Sequence, residues 1–189
     1  MTLQQFTQAL HPLSTEELDR FLEIWIPFEC KRKTILTAAG ETERHLYFIQ
    51  EGVQRSFYIG DDKQEATIVF TYAPSFSGVA DSFLTQTPSK FFFETLTASK
   101  MLRTTYRQLD ELMTSFPNIQ KLVLKATAYA LKGVLERQVE LQCYSAEQKF
   151  RTLLKRSPHI LNLVPHKYLA SYLGMDATNF SKLLGNVKI

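Results

Sequence analysis

The residues that decide the fold run from His166 to Gly185, HKYLASYLGMDATNFSKLLG, and their order predicts a helix-turn-helix. Gly174 can supply the positive φ that the turn requires, and Asp176 can cap the second helix by accepting its first free amides. Ala170 is small where the two helix axes would approach each other. The apolar side chains that would pack between the helices are Leu169, Leu173, Met175, Phe180 and Leu183.

A motif of this kind lays its second helix in the major groove of DNA. The alternative is an ordinary helical hairpin that closes a small core, because short motifs also occur by chance. Charge favours DNA: residues 145–189 hold seven Lys or Arg against two Asp or Glu, whereas the rest of the chain holds 15 against 17. A solvated helical face also carries lysines, so the charge supports a nucleic-acid interface without proving one.

Length and composition indicate one large domain or two small ones, since 44% of the 189 residues are hydrophobic. The sequence contains no run of 18 apolar residues, and its start, MTLQQFTQALHPLS, lacks the blocks of a signal peptide. We therefore expect a cytoplasmic protein without a membrane partner. Cys30 and Cys143 lie far apart and outside any CxxC motif, so we expect two buried thiols and no disulfide or metal site.

The amino-terminal part begins with a predicted helix and continues as short strands. Ser14 and Glu17 form a capping box before a helix from Thr15 to Trp25, and Pro27 ends it. From Lys33 to Tyr106, turn signals separate short β-type runs, which include HLYFIQ, VQRSFYIG, ATIVFTYA, FFFETLTA and MLRTTY. Six to eight strands in about 75 residues predict a barrel or roll.

Helices follow the strands. The sequence predicts a short helix over Gln108–Ser115, a long one from Phe116-Pro117 to about Cys143, and another over Glu147–Arg156 that Ser145 caps. The long helix carries two apolar stripes, which are Ile119, Val123, Ala126, Ala130 and Gly133, and Leu124, Ala128, Leu131, Leu135 and Val139. One stripe can cover the roll. The other must be buried elsewhere.

Small residues on the first stripe, at positions 126, 130 and 133, would let a second copy of the long helix approach closely. We therefore expect a parallel homodimer. The alternative is a helix that is buried on both sides within one monomer.

The order of these elements resembles the Crp/Fnr family of bacterial transcription regulators. The resemblance covers about Leu13 to Leu184 and is most specific at four places, which are Gly40-Glu41, Tyr47–Gly52, Gly78–Thr95 and the helix-turn-helix. It implies an α+β protein. The expected parts are a sensor domain over residues 1–115, a dimerisation helix over 116–144 and a helix-turn-helix domain over 145–189. The sensor domain would be an antiparallel β-roll of the cyclic nucleotide-binding type, which is a cupin-like double-stranded β-helix.

The expected effector pocket departs from the family pattern for cyclic AMP, in which a glycine precedes a ribose-binding glutamate and an arginine follows about ten residues later. Here Val79 follows Gly78, and Ser89 takes the place of the arginine. Lys90 beside Ser89 could supply a point charge, and Phe91 adds an apolar wall. Each lost charge-assisted hydrogen bond costs roughly 1.5–3 kcal/mol, so we expect cyclic AMP to bind poorly. The many phenylalanines of the roll fit either an apolar ligand or a filled, ligand-free pocket.

The sequence supports neither a cofactor nor catalysis. Fnr-type iron–sulfur sensing needs a cysteine cluster near the amino terminus, and haem sensing needs an axial ligand. Cys30 is alone in that half, and His45 is the only histidine between Pro12 and Arg156. The four histidines do not form a cupin metal cluster, and no nucleophile-base pair or phosphate-binding loop is present. We expect a protein that is not an enzyme.

The resulting expectation is a homodimeric transcription regulator that binds a pseudo-palindromic operator in double-stranded DNA. An unknown small-molecule effector and RNA polymerase are candidate further partners. Base edges would be contacted from the second helix by Thr178, Asn179, Ser181 and Lys182. Phosphates would be contacted from the first helix by His166, Lys167, Ser171 and Tyr172.

The alternative is a sensor or scaffold dimer that does not bind DNA. Only Asn186-Val187-Lys188-Ile189 follow Gly185, too few residues to form the β-hairpin wing of many relatives. The second helix is also less basic than in the family's nucleotide-responsive members.

Overall fold

The computed structural model describes residues 1–186, and two short helices open the chain. Helix α1 (Leu3–Leu10) begins at a capping box of Thr2 and Gln5, and α2 (Thr15–Glu23) begins at the predicted one of Ser14 and Glu17. Helix α1 was not predicted, although its capping box is visible in the sequence.

The central part is a roll of two four-stranded antiparallel sheets. The strands of the described residues are β1 (Ile26–Cys30), β2 (Ile35–Thr37), β3 (His45–Glu51), β4 (Val53–Ile59), β5 (Glu65–Tyr72), β6 (Ser75–Ser77), β7 (Phe92–Thr95) and β8 (Ser99–Thr105). One sheet has the strand order β1-β8-β3-β6, and the other has the order β2-β7-β4-β5. This confirms the predicted β-roll.

Strand β1 corrects the sequence prediction, in which Pro27 only ended a helix and the strands began at Lys33. Pro27 lies within β1, opposite Leu102 of β8. Strand β1 is an edge strand that pairs with β8 alone, so the missing N–H of a proline is tolerated there.

Helix α3 (Ala80–Thr85) lies between β6 and β7 and was not predicted. Helices α4 (Tyr106–Ser115) and α5 (Pro117–Cys143) follow β8, and both were predicted. An apolar cluster joins the first two helices, α4 and the start of α5 to the roll. Its most buried members are Phe21, Phe48, Phe83, Leu109, Ile119 and Leu122. The cluster anchors the beginning of α5.

Helix α5 is buried only near its two ends. Ile119 and Leu122 are buried at its start, and Arg137 and Glu140 are buried near its end. The prediction that one stripe covers the roll holds only for the first turns, because Ala130 and Gly133 of the first stripe are exposed, as is Leu131 of the second. A helix of 27 residues is about 40 Å long, and the roll covers only its beginning.

The second stripe of α5 is exposed along its length. Leu124 is 68% exposed, and Leu131, Leu135 and Val139 are each more than half exposed. Cys143, expected as a buried thiol, is exposed at the end of the same helix, whereas Cys30 is half-buried. The described protomer leaves a long apolar face of α5 uncovered.

Four helices complete the described chain: α6 (Ala146–Arg156), α7 (Ile160–Leu163), α8 (His166–Tyr172) and α9 (Ala177–Asn186). Ser145 caps α6 as predicted. The helices surround an apolar cluster of which Phe150, Leu169, Leu173 and Phe180 are wholly buried. Val53 and Leu96 of the roll belong to the same cluster, so the roll and these helices share a core.

Residues 187–189 lie outside the described part of the chain, and the last residues of the proposed 145–189 domain lie there. The division at 115 and 144 stays a prediction. No helix within residues 1–186 is both long enough and apolar enough to span a membrane.

Candidate nucleic-acid interface and effector pocket

The helix-turn-helix is formed by α8 and α9. Gly174 has a φ of +62° in the turn, and Oδ1 of Asp176 accepts the backbone N–H of Asn179 at 2.8 Å. Leu169 and Phe180 are fully buried between the helices. The turn and the capped start of α9 agree with the steric roles that were predicted for these positions.

The residues that were predicted to contact bases, Thr178, Asn179, Ser181 and Lys182, all lie exposed on α9. The Asn179 amide donates to Oδ2 of Asp176 at 2.6 Å, and the Ser181 hydroxyl donates to the carbonyl of Ala177 at 2.9 Å. These hydrogen bonds hold the Asn179 and Ser181 side chains against their own helix. Thr178 and Lys182, one helical turn apart, are the better placed pair for base edges.

His166 and Lys167, predicted phosphate contacts, are exposed at the start of α8. The His166 ring lies 5.5 Å from the Phe180 ring, and Nζ of Lys167 lies 4.6 Å from the centre of the Tyr168 ring. Their position agrees with the predicted role, which stays a prediction.

The other two predicted phosphate contacts, Ser171 and Tyr172, face the roll. Oγ of Ser171 accepts the N–H of Thr67 and donates to the carbonyl of Glu65, both at 2.9 Å. The Tyr172 ring packs against Phe70 with 5.0 Å between ring centres. In this arrangement neither side chain is available to a phosphate. The sequence does not reveal which side of α8 the roll covers.

A buried arginine on β4 lies beneath α8. Nε of Arg55 donates to Glu94 at 2.6 Å, and its Nη1 donates to Glu65 at 2.8 Å. The guanidinium carbon lies 4.0 Å from the centre of the Phe57 ring and 3.7 Å from that of Tyr168. Burial alone would lower the pKa of Arg55, but the two carboxylates outweigh burial and raise it. The Arg55 guanidinium is therefore a fixed cation that supports α8, the first helix of the motif. This role of Arg55 was missed by the sequence analysis.

The predicted effector pocket is lined by residues that already have partners. Val79 is 4% exposed and packs in an apolar cluster with Tyr47 and Phe93, against which Phe91 also packs. The Ser89 hydroxyl donates to the carbonyl of Phe91 and accepts its N–H, both at 2.8 Å. The backbone at Gly78 has a φ of +132°, and Lys90 is exposed.

A buried carboxylate, Glu43, lies beside this segment and was also missed. It is 1% exposed, and its two oxygens accept the N–H groups of Val79 and His45, each at 3.2 Å. Burial raises the pKa of Glu43, although these hydrogen bonds oppose the shift. Val79 lies 36 residues from Glu43 in the sequence, so residue order gives no signal for the contact between them.

Comparison with known proteins agrees with this geometry. Residues 27–116 match the model of the cyclic nucleotide-binding domain family. The Fumarate and nitrate reduction regulatory protein of Vibrio cholerae is 25% identical over 188 residues, which cover 94% of this chain and 74% of that protein. The chain therefore contains a cyclic nucleotide-binding domain and is similar in sequence to regulators of the Crp/Fnr type.

Solved structures support the fold of this chain. FixK2 from Bradyrhizobium japonicum superposes with a TM-score of 0.78 at 13% identity and covers 86% of this chain and 83% of that one. A Eubacterium rectale protein described as a transcriptional regulator of the Crp/Fnr family gives a TM-score of 0.72 at 14% identity, covering 92% and 82%. The predicted α+β architecture is confirmed, and the predicted resemblance to Crp/Fnr regulators is found in the comparisons. The individual site residues stay predictions.

Proposed function

We propose that this chain is a homodimeric, sequence-specific DNA-binding regulator whose effector pocket is altered so that cyclic nucleotides bind weakly. The observation that carries the proposal is the pair Thr178 and Lys182, exposed one turn apart on a capped helix of a helix-turn-helix. Lysine can donate to the acceptors of a guanine edge in the major groove. The proposed role involves no catalysis and places the protein in the cytoplasm, where its DNA is.

The dimer part of the proposal rests on α5. Its uncovered leucines and valines recur at helical spacing, and burying a side chain of this size contributes about 1.5–3 kcal/mol. A second copy can cover this face if the two α5 helices run parallel. Two recognition helices would then lie about one DNA turn apart and select a pseudo-palindrome.

The pocket part rests on Val79, Ser89 and Glu43. Val79 offers no carboxylate for a ribose hydroxyl, and the Ser89 hydroxyl is already paired with Phe91. The buried Glu43 carboxylate takes the Val79 N–H and would repel a phosphate placed nearby. These contacts favour a filled pocket without a cofactor. An effector of other chemistry and RNA polymerase remain candidate partners.

Selection from a random DNA pool tests the proposal. The wild-type protein should enrich a pseudo-palindrome, and its affinity should fall as salt rises because phosphate contacts release counterions. Failure to enrich any sequence, together with salt-independent binding, would replace the proposal with the sensor or scaffold dimer. The Asp176 carboxylate at the start of α9 favours the sensor or scaffold dimer, because this negative charge would face and repel the DNA phosphates.

A further inference from the structure

The contact between α8 and the roll covers an open sheet edge. Strand β5 is the last strand of its sheet, so one side of it presents N–H and C=O groups without a partner strand. A hydroxyl both donates and accepts. Oγ of Ser171 uses both capacities, taking the N–H of Thr67 and giving its hydrogen to the carbonyl of Glu65. One side chain of α8 thus completes two neighbouring backbone groups of β5.

Two further contacts lie on the same side of α8. Tyr168 covers the guanidinium of Arg55, and Tyr172 packs on Phe70. Positions 168, 171 and 172 are spaced by three and four residues, so they form one helical face, which we name the docking face. Because Glu65 and Glu94 hold Arg55 in place, the surface beneath the docking face is itself fixed.

The second helix of the motif, α9, moves together with the first, α8. One apolar cluster fully buries three side chains, which are Leu169 of α8, Leu173 at the end of that helix and Phe180 of α9. Helix α9 therefore cannot move independently of α8 without opening that cluster. An element that fixes α8 on the roll therefore also fixes the direction of α9.

We propose that the docking face is a positioning device that fixes α9 relative to the roll and thereby sets the spacing of the two half-sites selected by the dimer. The inference rests on the proposed function. In a dimer each recognition helix is attached to its own roll, so docking narrows the range of distances between the two helices. Ser171 acts here through α9 and is a positioning residue.

The decisive variant is Ser171→Ala, which removes both hydrogen bonds and no apolar contact of the docking face. Ser115→Ala is the matched control, because the Ser115 hydroxyl bonds only to a carbonyl of its own helix, that of Glu111. Ser171→Thr keeps a hydroxyl and should restore the wild-type behaviour. A cooperative thermal unfolding transition in each of the three variants would establish that they fold.

Affinity is measured for operators with the same half-sites at centre-to-centre spacings altered by one or two base pairs, and for an isolated half-site. Wild type should strongly prefer one spacing. Ser171→Ala should bind the altered spacings almost as well as the best one, with unchanged affinity for the single half-site. Loss of two hydrogen bonds can weaken docking roughly 5- to 150-fold. The ratio of affinities for the best and the altered spacings should therefore fall by no more than this factor.

Hydrogen exchange supplies a measurement without DNA. The amide of Thr67 should exchange faster in Ser171→Ala, because it loses its acceptor, and should be unaffected by Ser115→Ala. Equal exchange in wild type and Ser171→Ala would show that the docking contact does not form, and this would overturn the inference.

The DNA results separate the two proposals. If wild type binds no DNA, the proposed function fails and the spacing role fails with it, whatever the exchange data show. If wild type binds with a spacing preference that Ser171→Ala retains, only the positioning role is wrong. A uniform loss of affinity for every operator and for the half-site would indicate a merely structural contact and would also overturn it.

Discussion

Lys182 and Lys167 are both exposed lysines of the helix-turn-helix, but they lie at different places in the motif. Lys182 lies on α9, and Lys167 lies at the start of α8, the helix that would cross the DNA backbone in the proposed complex. Lys182→Ala should therefore reduce the preference for the selected site over a scrambled site, by about 1–3 kcal/mol. Lys167→Ala should weaken binding to both sites about equally and lower the magnitude of the log-affinity versus log-salt slope by about one.

Salt titrations of both variants on both DNA sites measure these effects, each variant serving as the other's control. The assignment of roles is wrong if Lys167→Ala removes the preference between the sites, or if Lys182→Ala changes only the salt slope.

Glu43 provides a prediction on pH. Because burial raises its pKa in the folded protein above the ordinary value of 4.5, the folded state binds more protons than the unfolded state between these two values. The contribution of Glu43 to stability is therefore full below pH 4.5 and decreases as pH rises through the folded pKa. Each pH unit that separates the two pKa values corresponds to about 1.4 kcal/mol.

Glu43→Gln cannot titrate, so its unfolding free energy is the reference. The wild-type value minus the variant value, measured by urea denaturation across the acidic and neutral range, should decrease as pH rises from about 4.5. A difference that increases with pH would mean that hydrogen bonds to the carboxylate, rather than burial, dominate the pKa of Glu43.

Residue order predicted those side chains whose roles depend on near neighbours. The capping role of Asp176 and the positive φ of Gly174 follow from local geometry, and both were found. Arg55 and Glu94 are 39 residues apart, and Ser171 and Thr67 are 104 residues apart. Such pairs arise only when the chain folds, so the buried cation and the docking face could not be found from the sequence.

At the scale of elements, α5 offers a test of dimerisation. Leu131→Glu would place a charge on the uncovered apolar stripe, and two such charges would meet in a parallel dimer. The dimer dissociation constant should rise about 100-fold or more. Ala130→Glu adds the same charge at the next position but on the opposite stripe, and it should have the smaller effect. Analytical ultracentrifugation measures both.

A monomeric wild-type protein would contradict this account of α5. A stronger effect of Ala130→Glu would move the contact to the small-residue stripe that the sequence originally suggested.

The roll provides a test with ligands. Cyclic AMP and cyclic GMP should bind weakly or not at all, because Val79 and Ser89 lack the groups that would hold ribose and phosphate. Each missing charge-assisted bond lowers affinity roughly 10- to 150-fold. Calorimetry with wild type and Lys90→Ala decides the matter. Saturable micromolar binding that Lys90→Ala removes would show that Lys90 takes the phosphate and that the pocket is functional.

Elements were predictable where the pattern is long or strongly punctuated. The long helix was found because no proline interrupts residues 118–143, and α6 was found from its capping box. Strand β1 was missed because Pro27 indicated only a helix end, and its position at a sheet edge is a property of the whole roll. The short helices α3 and α7 have too few residues for a periodic pattern.

For the whole molecule, the sequence predicted the order of roll, long helix and helix-turn-helix, but it did not predict their mutual contacts. Val53 and Leu96 of the roll share a core with Phe150 and Leu173 of the carboxy-terminal helices. A shared core couples the roll to the helix-turn-helix, so a change in the roll can reach α9, the helix proposed to contact DNA.

In the proposed dimer, two copies of this chain present their recognition helices one DNA turn apart. A structure of the protein bound to its selected DNA tests this directly. We predict a two-fold dimer joined through α5, with the two Lys182 residues about 34 Å apart and facing successive major grooves. A single protomer on the DNA, or a dimer whose two α9 helices point away from the duplex, would contradict the account.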